Sequence, residues 1–252
     1  MANKKKSRPS RWKKLFKIKK KNRKSFVLTL LLILAILFFT GYGLFSRLTV
    51  INTKPPQTRQ DNRDIAVLYF INNIGEDARS IAQDNDLYAS VMIAQAILES
   101  NHGTSKLGSN PNYNLFGIKG DYQGNSATFQ TWEDDGKGNT YKIDAAFRKY
   151  PSYKESLEDY ADILSKNLYA DARKSNTTSY RDATQALTGR YATDTSYNTK
   201  LNYLIKLYHL TDYDQPVSPY KPGLLYNVYR QAYTDVNTLE KDNNWAKNQL
   251  TN

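Results

Sequence analysis

Cysteine is absent from this chain of 252 residues, and histidine occurs only as His102 and His209. The first absence excludes a disulfide framework, a thiol nucleophile and a cysteine–zinc site; the second leaves too few imidazoles for an ordinary histidine metal cluster. No metal and no organic cofactor is implied, and acid–base work falls to carboxylates. Acids are themselves missing from residues 1–24, where 13 lysines and arginines stand. Those cations account for the net charge of +12, because the remaining 23 basic residues face 24 acids. The basicity belongs to a tail, which argues against nucleic acid as a partner of the folded part. Charge of either sign is missing again from Phe26 to Phe45. A helix of that length spans roughly 30 Å, the thickness of a bilayer core. With a basic tail (1–25) before it and few cations after it, the run at 26–45 is expected to be a single-pass transmembrane signal-anchor with a cytoplasmic N-terminus. A cleaved signal peptide is the rival reading, but the run is long for one and no A-x-A site follows Phe45. The tail also suits contact with anionic lipid.

Beyond the anchor the chain divides by composition. Residues 46–61 read as a linker stiffened by Pro55-Pro56. A helical period begins near Asn62 and continues through Ile65, Leu68, Tyr69, Ala78 and Ile81, as one long helix or two short ones. A second helix over about 89–100 is apolar on every side: from Val91 to Leu98 only Gln95 is polar. Such a helix is normally buried. Glycine, asparagine and serine make 101–125 mostly loop. Then "SATFQTWE" and "TYKIDAAFRKY", separated by Asp134-Asp135-Gly136-Lys137-Gly138-Asn139, read as a hairpin. Ser152 and Glu155 stand at capping-box spacing before a helix running to Leu168, and two more helices are expected over about 179–189 and 196–210. The fold class is therefore α+β, mainly α, with a domain over 62–213. An extension over 214–252 has Leu225, Val228, Tyr229, Ala232, Val236 and Leu239 at helical spacing, and is expected to be a helix that packs on the domain, meets a partner or does little; the sequence assigns it no function.

The chemistry is most legible where the buried helix stops. Glu99 comes directly after the apolar run, and Gly103 soon ends the helix. A helix C-terminus carries partial negative charge, and apolar surroundings disfavour a carboxylate, so both raise the pKa of an acid placed there. That is what a general acid of glycoside cleavage needs, since it must hold its proton near neutral pH. A second acid should arrive from another element, and Glu133 and Asp134, at the end of the first hairpin strand, are placed for that. Singly, each is ordinary: glutamates often mark the point where a helix surfaces, and strand ends beside turns are often acidic.

In combination they are not ordinary. "AQAILES", "NLFGIKG", "TWE", "FRKYPSYKESLEDYADIL" and "RYATDTSYNTKL" occur in that order over about 110 residues. The series resembles the bacterial endo-β-N-acetylglucosaminidases that cut peptidoglycan, the autolysin and flagellar-rod hydrolase family, over roughly residues 62–211. The resemblance implies a lysozyme-like fold, a helical domain and a small β lobe with a glycan groove between them. By position it implies that Glu99 is the general acid, Glu133 the second acidic residue and Tyr191 a tyrosine lining the cleft beside the reacting sugar. Asn114, Phe116 and Gly117 match the segment bordering the groove, and His102 and Trp132, near the two acids in sequence, join them as substrate-binding candidates. Where many members carry tryptophan and glycine after "ES", this chain reads Asn101-His102-Gly103. The implied substrate is the β-1,4 bond between N-acetylglucosamine and N-acetylmuramic acid in peptidoglycan glycan strands, cut on the wall side of the membrane. A muramidase on the same scaffold and a wall-binding module without turnover are the alternatives.

Overall fold

In the computed structural model, which describes residues 64–134, 140–216 and 223–251, the chain becomes helical where an aspartate can cap it. Asp64 accepts a hydrogen bond from the Ala66 amide at 2.7 Å, satisfying one of the first-turn donors of α1 (Ile65–Asp84). Val67, Leu68, Phe70, Ile71, Ile74, Ala78, Ile81 and Ala82 fall on its buried side, so the period seen in the sequence resolves as one continuous helix. The tail, anchor and linker expected over 1–25, 26–45 and 46–61 lie outside the described residues. Among the described residues no helix is long and apolar enough to cross a membrane.

The apolar helix α2 (Ala89–Ser100) runs through the core, with Met92, Ile93, Ala94 and Ala96 fully buried. Its own N-cap residue, Tyr88, makes no side-chain cap bond. The cap comes instead from far along the chain: Asp214 accepts from the Ser90 amide at 2.8 Å and the Ser90 hydroxyl at 2.7 Å. At the other end Asn101, His102 and Gly103 all take positive φ, turning the chain sharply away just past Glu99. At Gly103, with φ of +78°, a Cβ would lie 2.8 Å from the Phe70 ring and 2.9 Å from the Tyr153 hydroxyl, so no larger residue fits beneath this turn.

A β-hairpin comes next. β1 (Ser126–Asp134) pairs antiparallel with β2 (Thr140–Arg148) in a register from Ser126 opposite Arg148 to Asp134 opposite Thr140. Its base is tied to the loop before it, because Arg148 and Gly120 donate backbone bonds to Ile118 and Ala146. Ser152 then caps α3 (Tyr153–Leu164), accepting from the Lys154 amide and bonding the Glu155 carboxylate. This helix stops four residues before Leu168, the end expected from its period, and the chain continues as short 3₁₀ turns over Asn167–Ala172 and Lys174–Asn176. Leu168 is correspondingly exposed. Helices α4 (Tyr180–Leu187) and α5 (Tyr197–Leu207) and a 3₁₀ turn at Leu210–Asp214 complete the domain.

The extension differs from its expected form. Residues 224–235 are not helical: β3 (Leu224–Asn227) and β4 (Ala232–Asp235) make a second small hairpin, and only then does α6 (Val236–Thr251) begin. The local reason is Asn227. Its buried side-chain oxygen accepts from the amides of Tyr229 (3.1 Å) and Arg230 (3.2 Å), offering the backbone a turn in place of a helix. The extension packs on α1, where the Tyr226 amide donates to Glu76 at 3.2 Å and buried Arg79 donates to the Tyr233 hydroxyl at 3.3 Å. Tyr226, Val228, Tyr229 and Ala246 join the main core. The described residues are thus mainly helical, with two small antiparallel sheets.

Candidate active site

The C-terminal end of α2 brings Glu99 to the surface one residue before the helix stops. Its side chain is open to solvent on one side, while on the other Tyr197 from α5 touches it and Tyr160 from α3 and Tyr191 from the segment before α5 lie within electrostatic reach. Displacement of bulk water pushes the Glu99 pKa up, and a hydrogen bond from the Tyr197 hydroxyl to Oε1, at 2.7 Å, opposes only part of that rise. The result is a glutamic acid biased toward its protonated form on a rigid, buried helix.

The tyrosines form one aromatic cluster. Tyr191 stacks on Tyr197 with ring centroids 6.2 Å apart and planes 15° from parallel, and Tyr160 stacks on Phe116 at 4.1 Å. The Tyr191 hydroxyl donates to the backbone oxygen of Phe116 at 3.0 Å, tying the segment before α5 to the "NLFG" loop. Burial raises the pKa of Tyr160, Tyr191 and Tyr197, so all three are neutral phenols, able to donate or accept. Tyr197 is held in place by its own helix start: the Asp194 carbonyl accepts from the Tyr197 amide at 3.1 Å, and the Asp194 carboxylate accepts from the Ser196 amide at 2.8 Å. Bonds from Lys200 and Ser196 hold the Asp194 carboxyl at about 2.

The residues expected from the sequence fall into four groups, with Phe116 belonging to two of them. Glu99, Tyr191 and Phe116 are brought together, linked through Tyr197. Asn114 and Phe116 do not offer side chains to a ligand. Asn114 is 1% exposed, donates both amide hydrogens to the backbone oxygens of Ile118 (2.9 Å) and Arg148 (2.8 Å), and accepts from the Ile118 amide at 3.0 Å. It pins the loop to the base of the hairpin. Phe116 is 3% exposed beneath Tyr160 and likewise shapes the site from within. Gly117, with φ of +65°, and half-buried His102 remain at the surface of their turns. Glu133 and Trp132 are placed by backbone alone, in β1 opposite Tyr141 and Lys142. Three residues joined to Glu99 by hydrogen bonds, Tyr160, Gln95 and Tyr197, are not anticipated as site residues. Gln95 did leave a signal: it is the lone polar residue of α2's apolar run and stands four before Glu99, on the same helix face. Among the described residues no group of histidines and acids is arranged to hold a metal ion.

The family model described as mannosyl-glycoprotein endo-beta-N-acetylglucosaminidase matches residues 75–210, the stretch that contains every residue of this cluster. An autolysin of Enterococcus faecalis is 57% identical over 157 residues, covering 59% of this chain and 21% of that protein. A probable N-acetylmuramidase of Lactococcus lactis subsp. cremoris is 51% identical over 152 residues, covering 58% of this chain and 34% of that protein. This chain therefore spans only about a fifth to a third of the length of these curated relatives. The crystal structure of the catalytic domain of the autolysin Auto from Listeria monocytogenes superposes with a TM-score of 0.57 at 52% identity, over 61% of this chain and 90% of that one.

Proposed function

Since the chain belongs to the mannosyl-glycoprotein endo-beta-N-acetylglucosaminidase family, we propose that it is a peptidoglycan hydrolase that cuts the β-1,4 bond after N-acetylglucosamine with Glu99 as its general acid. The observation that carries this reading is the setting of Glu99. A carboxyl with a raised pKa stands at the end of a buried helix, one oxygen held by Tyr197 and the other side open. Cleavage then begins with proton transfer from Glu99 to the glycosidic oxygen, so that N-acetylmuramic acid leaves as an alcohol while positive charge grows on the ring of N-acetylglucosamine. Water adds to that centre, either directly or after the acetamido group of the same sugar has closed on it. Glu133 serves the second step by positioning the water or offsetting the charge. Tyr191 and Tyr197 supply a rigid aromatic wall behind the acid. In the same reading residues 26–45 anchor the protein in the cell membrane, with residues 1–25 in the cytoplasm and the hydrolase facing the wall. Its reach is then limited by the linker, which suits wall remodelling or cell separation.

The name of the Lactococcus relative favours a second assignment, cleavage after N-acetylmuramic acid on the same scaffold. The two separate in one experiment. Purified peptidoglycan is digested with the full-length protein, and the products are reduced and sized by mass spectrometry. Reduced N-acetylglucosamine ends are the expected result. Reduced N-acetylmuramic acid ends would make it a muramidase, and absence of product from a folded protein retained on the wall would leave only a glycan-binding role.

A further inference from the structure

The one polar side chain on the buried run of α2 sits in a file of hydrogen bonds that ends on Glu99. The hydroxyl of Tyr160, 1% exposed on α3, donates to Gln95 Oε1. Gln95 Nε2 donates to the Tyr197 hydroxyl oxygen at 2.9 Å, and Tyr197 donates to Glu99 Oε1 at 2.7 Å. Side chains from three helices thus pass every donated hydrogen in one direction, toward the acid. The direction is set by satisfaction. Among the described residues Gln95 is the only hydrogen-bond partner of the Tyr160 hydroxyl. With the Gln95 amide turned over, Nε2 would face Tyr160 and the phenolic hydrogen would be buried without an acceptor. Once Gln95 is fixed, Tyr197 has an N–H aimed at its oxygen, and its own hydrogen can go only to Glu99.

From this file we infer that Tyr160, Gln95 and Tyr197 decide which oxygen of Glu99 carries the transferable proton. Oε1 is held as an acceptor, so the proton resides on Oε2, which has no hydrogen-bond partner among the described residues and is the oxygen left to meet a glycosidic bond. The inference rests on Glu99 being the acid. Gln95 and Tyr160 touch no substrate and act as positioning residues. Without either of them Tyr197 accepts from Glu99 as readily as it donates, and a proton on Oε1 points into the protein.

The test compares full-length wild type, Gln95→Met and Tyr160→Phe on two substrates. One is a soluble peptidoglycan glycan; the other is an N-acetylglucosamine-terminated glycan with a dinitrophenyl leaving group, which departs without protonation. On the first, both variants should lose kcat on the order of tenfold, a part of the 10²–10⁴ that a positioned acid supplies, with KM unchanged. On the second they should match wild type. Unchanged kcat on the natural glycan, or an equal loss on both substrates, would overturn the inference. Tyr160→Phe removes a single oxygen, so it decides the matter if Gln95→Met fails to fold. Glu99→Gln run beside them separates the two levels: wild-type turnover in that variant would remove the acid assignment itself.

Discussion

Glu99 occupies an unfavourable place for a negative charge. The α2 carbonyls point toward it, and burial against the protein takes the place of water on one side. Its raised pKa has two consequences of defined sign. With Glu99 as the proposed general acid, activity requires the protonated form, so turnover should fall as pH rises through the folded-state pKa of Glu99, giving the alkaline limb of a pH–rate profile. Tyr197→Phe removes the one bond that lowers this pKa, and should move that limb to higher pH; a limb that stays put or moves down would contradict the assignment. Stability obeys the same shift. A carboxyl whose pKa is raised on folding contributes stability that is fully present below its unfolded value and is lost as pH rises through the folded value. Glu99→Gln should therefore melt at or above the wild-type temperature at pH 7, with the gap closing toward pH 4, as thermal melts at the two pH values would show. The unusual setting of Glu99 was legible in the sequence because it is local: seven apolar neighbours precede it and a glycine comes soon after. Tyr197 was not, since its hydroxyl reaches Glu99 across 98 positions of chain and 20 tyrosines compete for attention.

At the scale of elements, α2 works as a rod whose two ends are held by distant parts of the chain. Its first turn is capped by Asp214, 124 residues away, and its last residues are gripped by Tyr197. Because Tyr88 supplies no cap, Asp214→Ala should cost about 1–2 kcal/mol in chemical denaturation, the usual worth of an N-cap. Turnover per folded molecule should change little. The helices and the first hairpin were readable from periodicity and turn composition, which are local signals. The ends were less so. The period of α3 runs on to Leu168, but the chain leaves the helix after Leu164 for a 3₁₀ turn, and no residue in that stretch announces the break. Residues 225–235 mislead differently. Their apolar spacing fits a helix, yet Asn227 and the positive φ of Gln231 select a hairpin. The "NLFG" segment shows the limit for sites: its asparagine is needed to hold the loop, a role that a motif cannot distinguish from contact with sugar.

Taken as a whole, the domain and its extension share one core. Arg79 is the seam. Its guanidinium, 3% exposed, bonds Glu76, the backbone oxygens of Asp212 and Gln215, and Tyr233 of the second hairpin, and lies 5.0 Å from the Tyr213 ring centroid. Ending the chain after Asp214 would strip Tyr226, Val228 and Tyr229 from the core and leave Arg79 short of partners. The loss should be about 3 kcal/mol or more, from burial of those side chains alone, and be visible as a lower melting temperature. The proposed chemistry of the whole molecule, however, turns on one proton. It is tested most directly by measuring release of soluble fragments from purified peptidoglycan by full-length wild type and Glu99→Gln, with matched circular dichroism to show that both are folded. Wild type should release fragments steadily, and the variant should fall by at least about a hundredfold, the lower range for loss of a general acid. Equal release by the two proteins would contradict the assignment of Glu99 as the acid.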